Sequence, residues 1–118
     1  MSQLSEDELH QLAMTTVGQS LEADGYEFLA VNSTAKKDPQ FVCAKDKTLH
    51  FVVVRHVLYP QNPNEFDSKL MNQVKEHAIK FKAKTYYAGV GFAYATDYDK
   101  PLSKNEPYAI NFNGIKEI

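Results

Sequence analysis

A single cysteine, no tryptophan, and no lysine or arginine before residue 36 are the first constraints on this 118-residue chain. One cysteine, Cys43, excludes a disulfide within the chain and any four-thiolate zinc or iron–sulfur site. It sits in the apolar run FVCA, which predicts a buried, inert thiol. Long apolar runs are missing too. The longest weakly polar stretch, YYAGVGFAYA, is ten residues, about half of what a membrane helix needs. The opening MSQLSEDELH carries neither the basic nor the apolar region of a secretory signal. A cytoplasmic protein with no membrane association is therefore expected. No phosphate-binding glycine loop, dinucleotide fingerprint or HExxH pair occurs. His50 and His56 lie on one strand, six residues apart, which is roughly 20 Å and too far to share an ion. His10 and His77 fall on different helices. No metal and no cofactor is expected.

What is present is a globular composition, 43% hydrophobic and 24% charged, long enough for one domain over 1–118. The net charge of -2 is unevenly spread. Residues 1–33 hold six acids and no Lys or Arg, and residues 34–84 hold nine Lys, Arg55 and five acids. A basic middle could meet phosphates, but solvated lysines on helix and loop are the commoner use of such a run.

Ser5 and Glu8 form a capping box at the start of a helix over 5–24, with Leu9, Leu12, Ala13, Thr16, Val17 and Leu21 on one face and Gly25 as its stop. Strands are predicted over 26–32, 40–45 and 49–58, the last with a β-branched centre. Pro60 and Pro63 break the chain before a second helix over 65–82, capped by Asn64. Strands over 85–95 and 108–113 complete the chain, and Gly89 and Gly91 mark places where another backbone needs room. The order αβββαββ predicts an α/β (α+β) domain, a central mixed five-stranded sheet flanked by two helices.

The stretch LEADGY, the strand EFLAVN and the strand pair QFVCAKDKTLHFVVVR resemble the restriction-endonuclease-like PD-(D/E)xK superfamily, in particular its short YraN-like members. The resemblance spans roughly residues 10–95 and rests on element order and spacing. It implies an Asp opening the second strand and a Glu-x-Lys near the end of the third. Carried over by position, the Asp falls on Gln40, the Glu on Val53 and the Lys on Arg55. Those nucleases hold Mg²⁺ with carboxylates, and a hard ion requires oxygen ligands. Val53 offers none and Gln40 only a neutral amide.

No catalytic residue is therefore assigned, and Gln40, Val53 and Arg55 are the positions of a degenerate site. Arg55 either pairs with a nearby acid or binds an anion. The expected function is a non-catalytic, nuclease-like domain that associates with a protein partner or with itself, supported by the aromatics Tyr86, Tyr87, Phe92, Tyr94, Tyr98, Tyr108 and Phe112. The alternative is a nucleic-acid binder using Lys36, Lys37, Lys45, Lys47, Arg55 and Lys69 without cleavage, which is not favoured. A remoter one is a metal-dependent nuclease whose carboxylate has migrated to Asp38, Asp46, Glu65, Asp67 or Glu76.

Overall fold

The structure is a computed structural model and describes residues 4–95 and 107–118. Helix α1 runs Glu6–Ala23. Ser5 Oγ accepts from the Glu8 amide at 3.1 Å, while Glu8 Oε1 accepts from the Ser5 amide at 3.0 Å. The expected capping box is thus formed in both directions. Its far end closes as a Schellman motif. Tyr26 N donates to Leu21 O and Gly25 N to Glu22 O, with Gly25 at φ 87. The buried face is Leu9, His10, Ala13, Met14, Val17 and Leu21, with Leu12 and Thr16 only half-buried.

Strands β1 (Glu27–Val31), β2 (Phe41–Lys45) and β3 (Thr48–Leu58) form an antiparallel meander. The β2–β3 turn is two residues, Asp46 and Lys47, both at positive φ (51 and 65). That is the mirror-image turn whose twist matches a hairpin. Helix α2 runs Ser68–Ile79, then β4 (Ala83–Tyr94) returns parallel to β3. β5 (Tyr108–Phe112) and β6 (Lys116–Glu117) both pair antiparallel with β4, so the main order is β1-β2-β3-β4-β5. The expected α+β mixed sheet with two helices is present, with β6 as a short addition. Residues 96–106, including Tyr98, lie outside the described residues.

The alternating side chains of β3 divide the core. Val52 and Val54 pack with α1, Phe41, Cys43, Ala88, Val90 and Phe92. Val53 points the other way, against Met71 of α2 and Tyr87. The helices therefore cover opposite faces, as period-two alternation requires.

Two boundaries differ from expectation. α2 starts three residues after Glu65 and is capped by Asp67, whose carboxylate accepts from the Leu70 amide at 3.1 Å. Asn62 captures the Asn64 amide with its own side chain and the Glu65 amide with its carbonyl, which holds Asn64 in a local turn instead. The helix stops at Ile79, and Lys82 at φ 55 re-aims the chain into β4. The room expected at Gly89 is real. A Cβ there would sit 1.8 Å from the Pro63 carbonyl oxygen, because the β3–α2 crossover lies directly on β4.

Candidate functional site

The β1–β2 connection brings Asp38 and Gln40 to the same end of the sheet as Arg55. Lys36 takes φ 61, the Asp38–Pro39 bond is cis, and the Gln40 amide then donates to Val52 O at 3.0 Å. Beyond that point the backbone has left the ladder, so the Val54 amide faces no strand partner. Gln40 Oε1 fills the gap, accepting from Val54 N at 2.7 Å, and its Nε2 donates to Asp38 Oδ1 at 2.9 Å. A fully buried Gln (0% exposed) is thus spent on extending the ladder and steadying a carboxylate.

Arg55 meets that carboxylate fork to fork. Nη1 donates to Asp38 Oδ1 and Nη2 to Oδ2, both at 2.7 Å, and Nη1 also reaches the Val54 carbonyl at 3.0 Å. Burial opposes the charge on Asp38, but hydrogen bonds from Arg55 and Gln40, helped by the Arg55 charge, hold its carboxyl below the usual range. Of the two readings of Arg55, the structure shows pairing with an acid.

Gln40, Asp38 and Arg55 converge, while Val53 does something different. It lies two residues before Arg55 on the same, α2-facing side of β3, fully buried between Met71 and Tyr87, with Phe66 and Val74 around them. Between β3 and the start of α2 an open cleft of about 400 Å³ is lined by Arg55, Glu65, Asp67 and Tyr87, among others. Its acids do not form a cage. Asp67 caps α2, and Glu65 is exposed. Glu76 is exposed farther along α2, and Asp46 is at the far end of β2 in the hairpin turn. Among the described residues no group of three or more His, Cys, Asp or Glu stands close enough to hold a metal.

His10 of α1 and His56 of β3 come together, with ring centroids 6.3 Å apart, and His56 Nε2 meets Glu6 Oε2 at 2.7 Å. His10 is buried, and its Nε2 has no partner among the described residues. Its pKa is pushed down, first by burial and then by the positive charges of His56 and Arg55. Position 10 on the apolar face of α1 was the only local signal, and only packing of α1 on β3 reveals His56 as its neighbour. His50 is buried between the rings of Tyr26 and Tyr86 (5.0 and 5.4 Å), and burial depresses its pKa too. His77 is exposed and leans on Phe51 and Phe81. Cys43 is fully buried, and burial alone raises its thiol to about 11.

The lysines do not make one face. Lys36 and Lys37 are exposed in the connection before β2, Lys69 is exposed at the start of α2, and Lys47 is exposed in the turn after β2. Lys45 at the end of β2 lies over the Tyr26 ring, 4.8 Å from its centroid. The C-terminal aromatics are mostly structural, a correction to the support drawn from them. Tyr87 and Phe92 are buried, Tyr86, Tyr94 and Phe112 half-buried, and Tyr108 alone of those described is exposed. Exposed apolar surface lies on β1 (Leu29 53%, Val31 55%), at the end of α2 (Ile79 61%, Phe81 53%), at and after the end of β3 (Leu58, Tyr59) and on β5 (Ile110).

Residues 7–118 match the family described as a domain of unknown function (DUF8840), and the chain belongs to that family. No curated protein and no solved structure matches it.

Proposed function

We propose that the chain is a non-catalytic relative of the PD-(D/E)xK nucleases, kept as a protein-association domain. The observation that carries this reading is the chemistry at the three corresponding positions. Gln40 is committed to Val54 N and Asp38, Val53 is sealed in apolar packing, and Arg55 neutralises Asp38. A hard divalent cation needs several free oxygen ligands, and displacing a bidentate guanidinium to free one carboxylate would strand a half-buried charge. The migrated-acid alternative would fall to Asp38, whose two oxygens are both taken by Arg55.

Association is favoured over nucleic-acid binding by the surface. The candidate lysines are split between the two ends of β2 and the start of α2, and Arg55 is paired, whereas exposed apolar residues line the edge strands β1 and β5 and the ends of β3 and α2. Calorimetric titration with Mg²⁺ and Mn²⁺, alongside a cleavage assay on single- and double-stranded DNA and RNA, tests the first half. No heat of binding and no cleavage are expected. Metal-dependent cleavage that Asp38→Ala abolishes would overturn it. Nucleic-acid binding that weakens steeply with salt would replace association by the alternative.

A further inference from the structure

The edge strand β1 carries an inference that deepens the association reading and rests on it. All five residues of β1 are exposed, four of them apolar: Phe28, Leu29, Ala30 and Val31. β1 ends the sheet, and among the described residues nothing pairs with its outer side. Natural edges are usually blunted by lysine, proline or a bulge. β1 has a bulge between Phe28 and Ala30 but neither lysine nor proline from Glu27 to Val31. An apolar row continues inward on the α2 face. Ala30 pairs with Val42, Val42 with Phe51, and the Phe51 ring lies 5.9 Å from that of Phe81, which is 53% exposed. α2 packs over β4, so this row stays only partly covered.

Charge selects the occupant. At the start of β1 the exposed acids Glu22, Asp24, Glu27 and Asp46 outnumber Lys45 and Lys47 of the neighbouring end of β2, and exposed Lys36 and Lys37 lie just beyond the other end of β1. A second β1 running antiparallel sets each acidic end beside the other copy's basic end, at both ends at once. A parallel arrangement would stack like on like. We propose that a second copy of this chain pairs its β1 antiparallel with β1 across a two-fold axis, joining two sheets into one. Such an interface is isologous and uses up the same edge on both copies, so it closes at the dimer. A ladder of five residues is smaller than the ~800 Å² per partner of standard interfaces and belongs with weak, transient contacts, so the test spans micromolar concentrations. β5 is the competing edge, with Tyr108 and Ile110 exposed, and it serves as the control.

Sedimentation equilibrium of the full chain from about 5 to about 500 µM covers that range. A monomer–dimer equilibrium is expected for the native chain. Leu29→Lys and, separately, Val31→Lys, both at exposed positions and checked for folding by circular dichroism, should weaken it at least tenfold. Ile110→Lys on β5 should leave it unchanged. Lys36→Glu/Lys37→Glu and Glu22→Lys/Asp24→Lys should each self-associate less than the native chain, and a one-to-one mixture of the two should recover association. A native chain that stays monomeric throughout overturns the inference, as does a folded Leu29→Lys and Val31→Lys pair that dimerises normally. Dimers lost through Ile110→Lys but not Leu29→Lys would refute the β1 edge while leaving the association reading intact. Metal uptake, measured separately, bears only on the non-catalytic reading.

Discussion

Replacing Gln40 with Leu is the sharpest probe of the network that Gln40 forms with Val54, Asp38 and Arg55. The side chain is fully buried and makes two hydrogen bonds, accepting from Val54 N at 2.7 Å and donating to Asp38 Oδ1 at 2.9 Å. Leu is close to Gln in volume, so little cavity opens. The Val54 amide is left without a partner in a dry place, a loss of about 1–3 kcal/mol. Asp38 loses one of three donors, and a hydrogen bond to a charged acceptor contributes about 1.5–3 kcal/mol. Transfer of the apolar Leu side chain to the interior returns about 1–2 kcal/mol.

The net expectation is a destabilisation of about 2–3 kcal/mol, measured by urea unfolding at pH 7 with the slope unchanged. In a domain of this size that lowers the melting temperature by roughly 8–20 °C. The pH dependence supplies a second check. Asp38 titrates below its ordinary value in the folded state, so its contribution is present above the unfolded pKa of 3.8 and is lost as pH falls through the folded value. The gap between native and variant proteins should therefore narrow in that acid window. A variant within about 0.5 kcal/mol of native at pH 7 would show that Gln40 neither completes the ladder nor steadies Asp38, and the account of the site would fail.

Three further outcomes are expected. Gly89→Ala places a methyl group into the Pro63 carbonyl, so a loss of at least about 3 kcal/mol, or no soluble protein, should appear in denaturant melts. Lys47→Gly relieves a residue at φ 65 in the two-residue hairpin turn, and calorimetry should record a gain of about 1 kcal/mol. His50, buried between Tyr26 and Tyr86, resists protonation when folded. The unfolded chain binds the proton near pH 6.5 and the folded chain only below it, so stability falls as pH drops beneath 6.5. His50→Phe should flatten that decline between about pH 7 and pH 5, and an unchanged slope would assign it to other groups, His10 first among them.

Arg55 and Asp38, 20% and 10% exposed, compensate each other, so this end of the sheet carries its own counter-charge. The neighbouring contact of Glu6 with His56 fixes the start of α1 to β3 in the same region.

Whatever depends on neighbours within a few residues was legible in the sequence. Ser5 with Glu8, Gly25 after an amphipathic run, the period-two alternation of LHFVVVRHVL and the breaks at Pro60 and Pro63 specify α1, β3 and the crossover through bonds between residues three or four apart or through side-chain parity. The order of β1, β2 and β3 followed from their short connections. Asn64 misled because it is as good a cap as Asp67. The choice between them was made by Asn62 and by the Pro63 carbonyl resting on Gly89, a contact 26 positions away. Tertiary structure alone decided that Arg55 would find Asp38, that Gln40 would extend the ladder beyond its strand, that His10 would face His56, and that β1 would be the apolar edge. Those outcomes depend on which elements close against each other, and a linear pattern carries each side chain's own preference but not the identity of the group it meets.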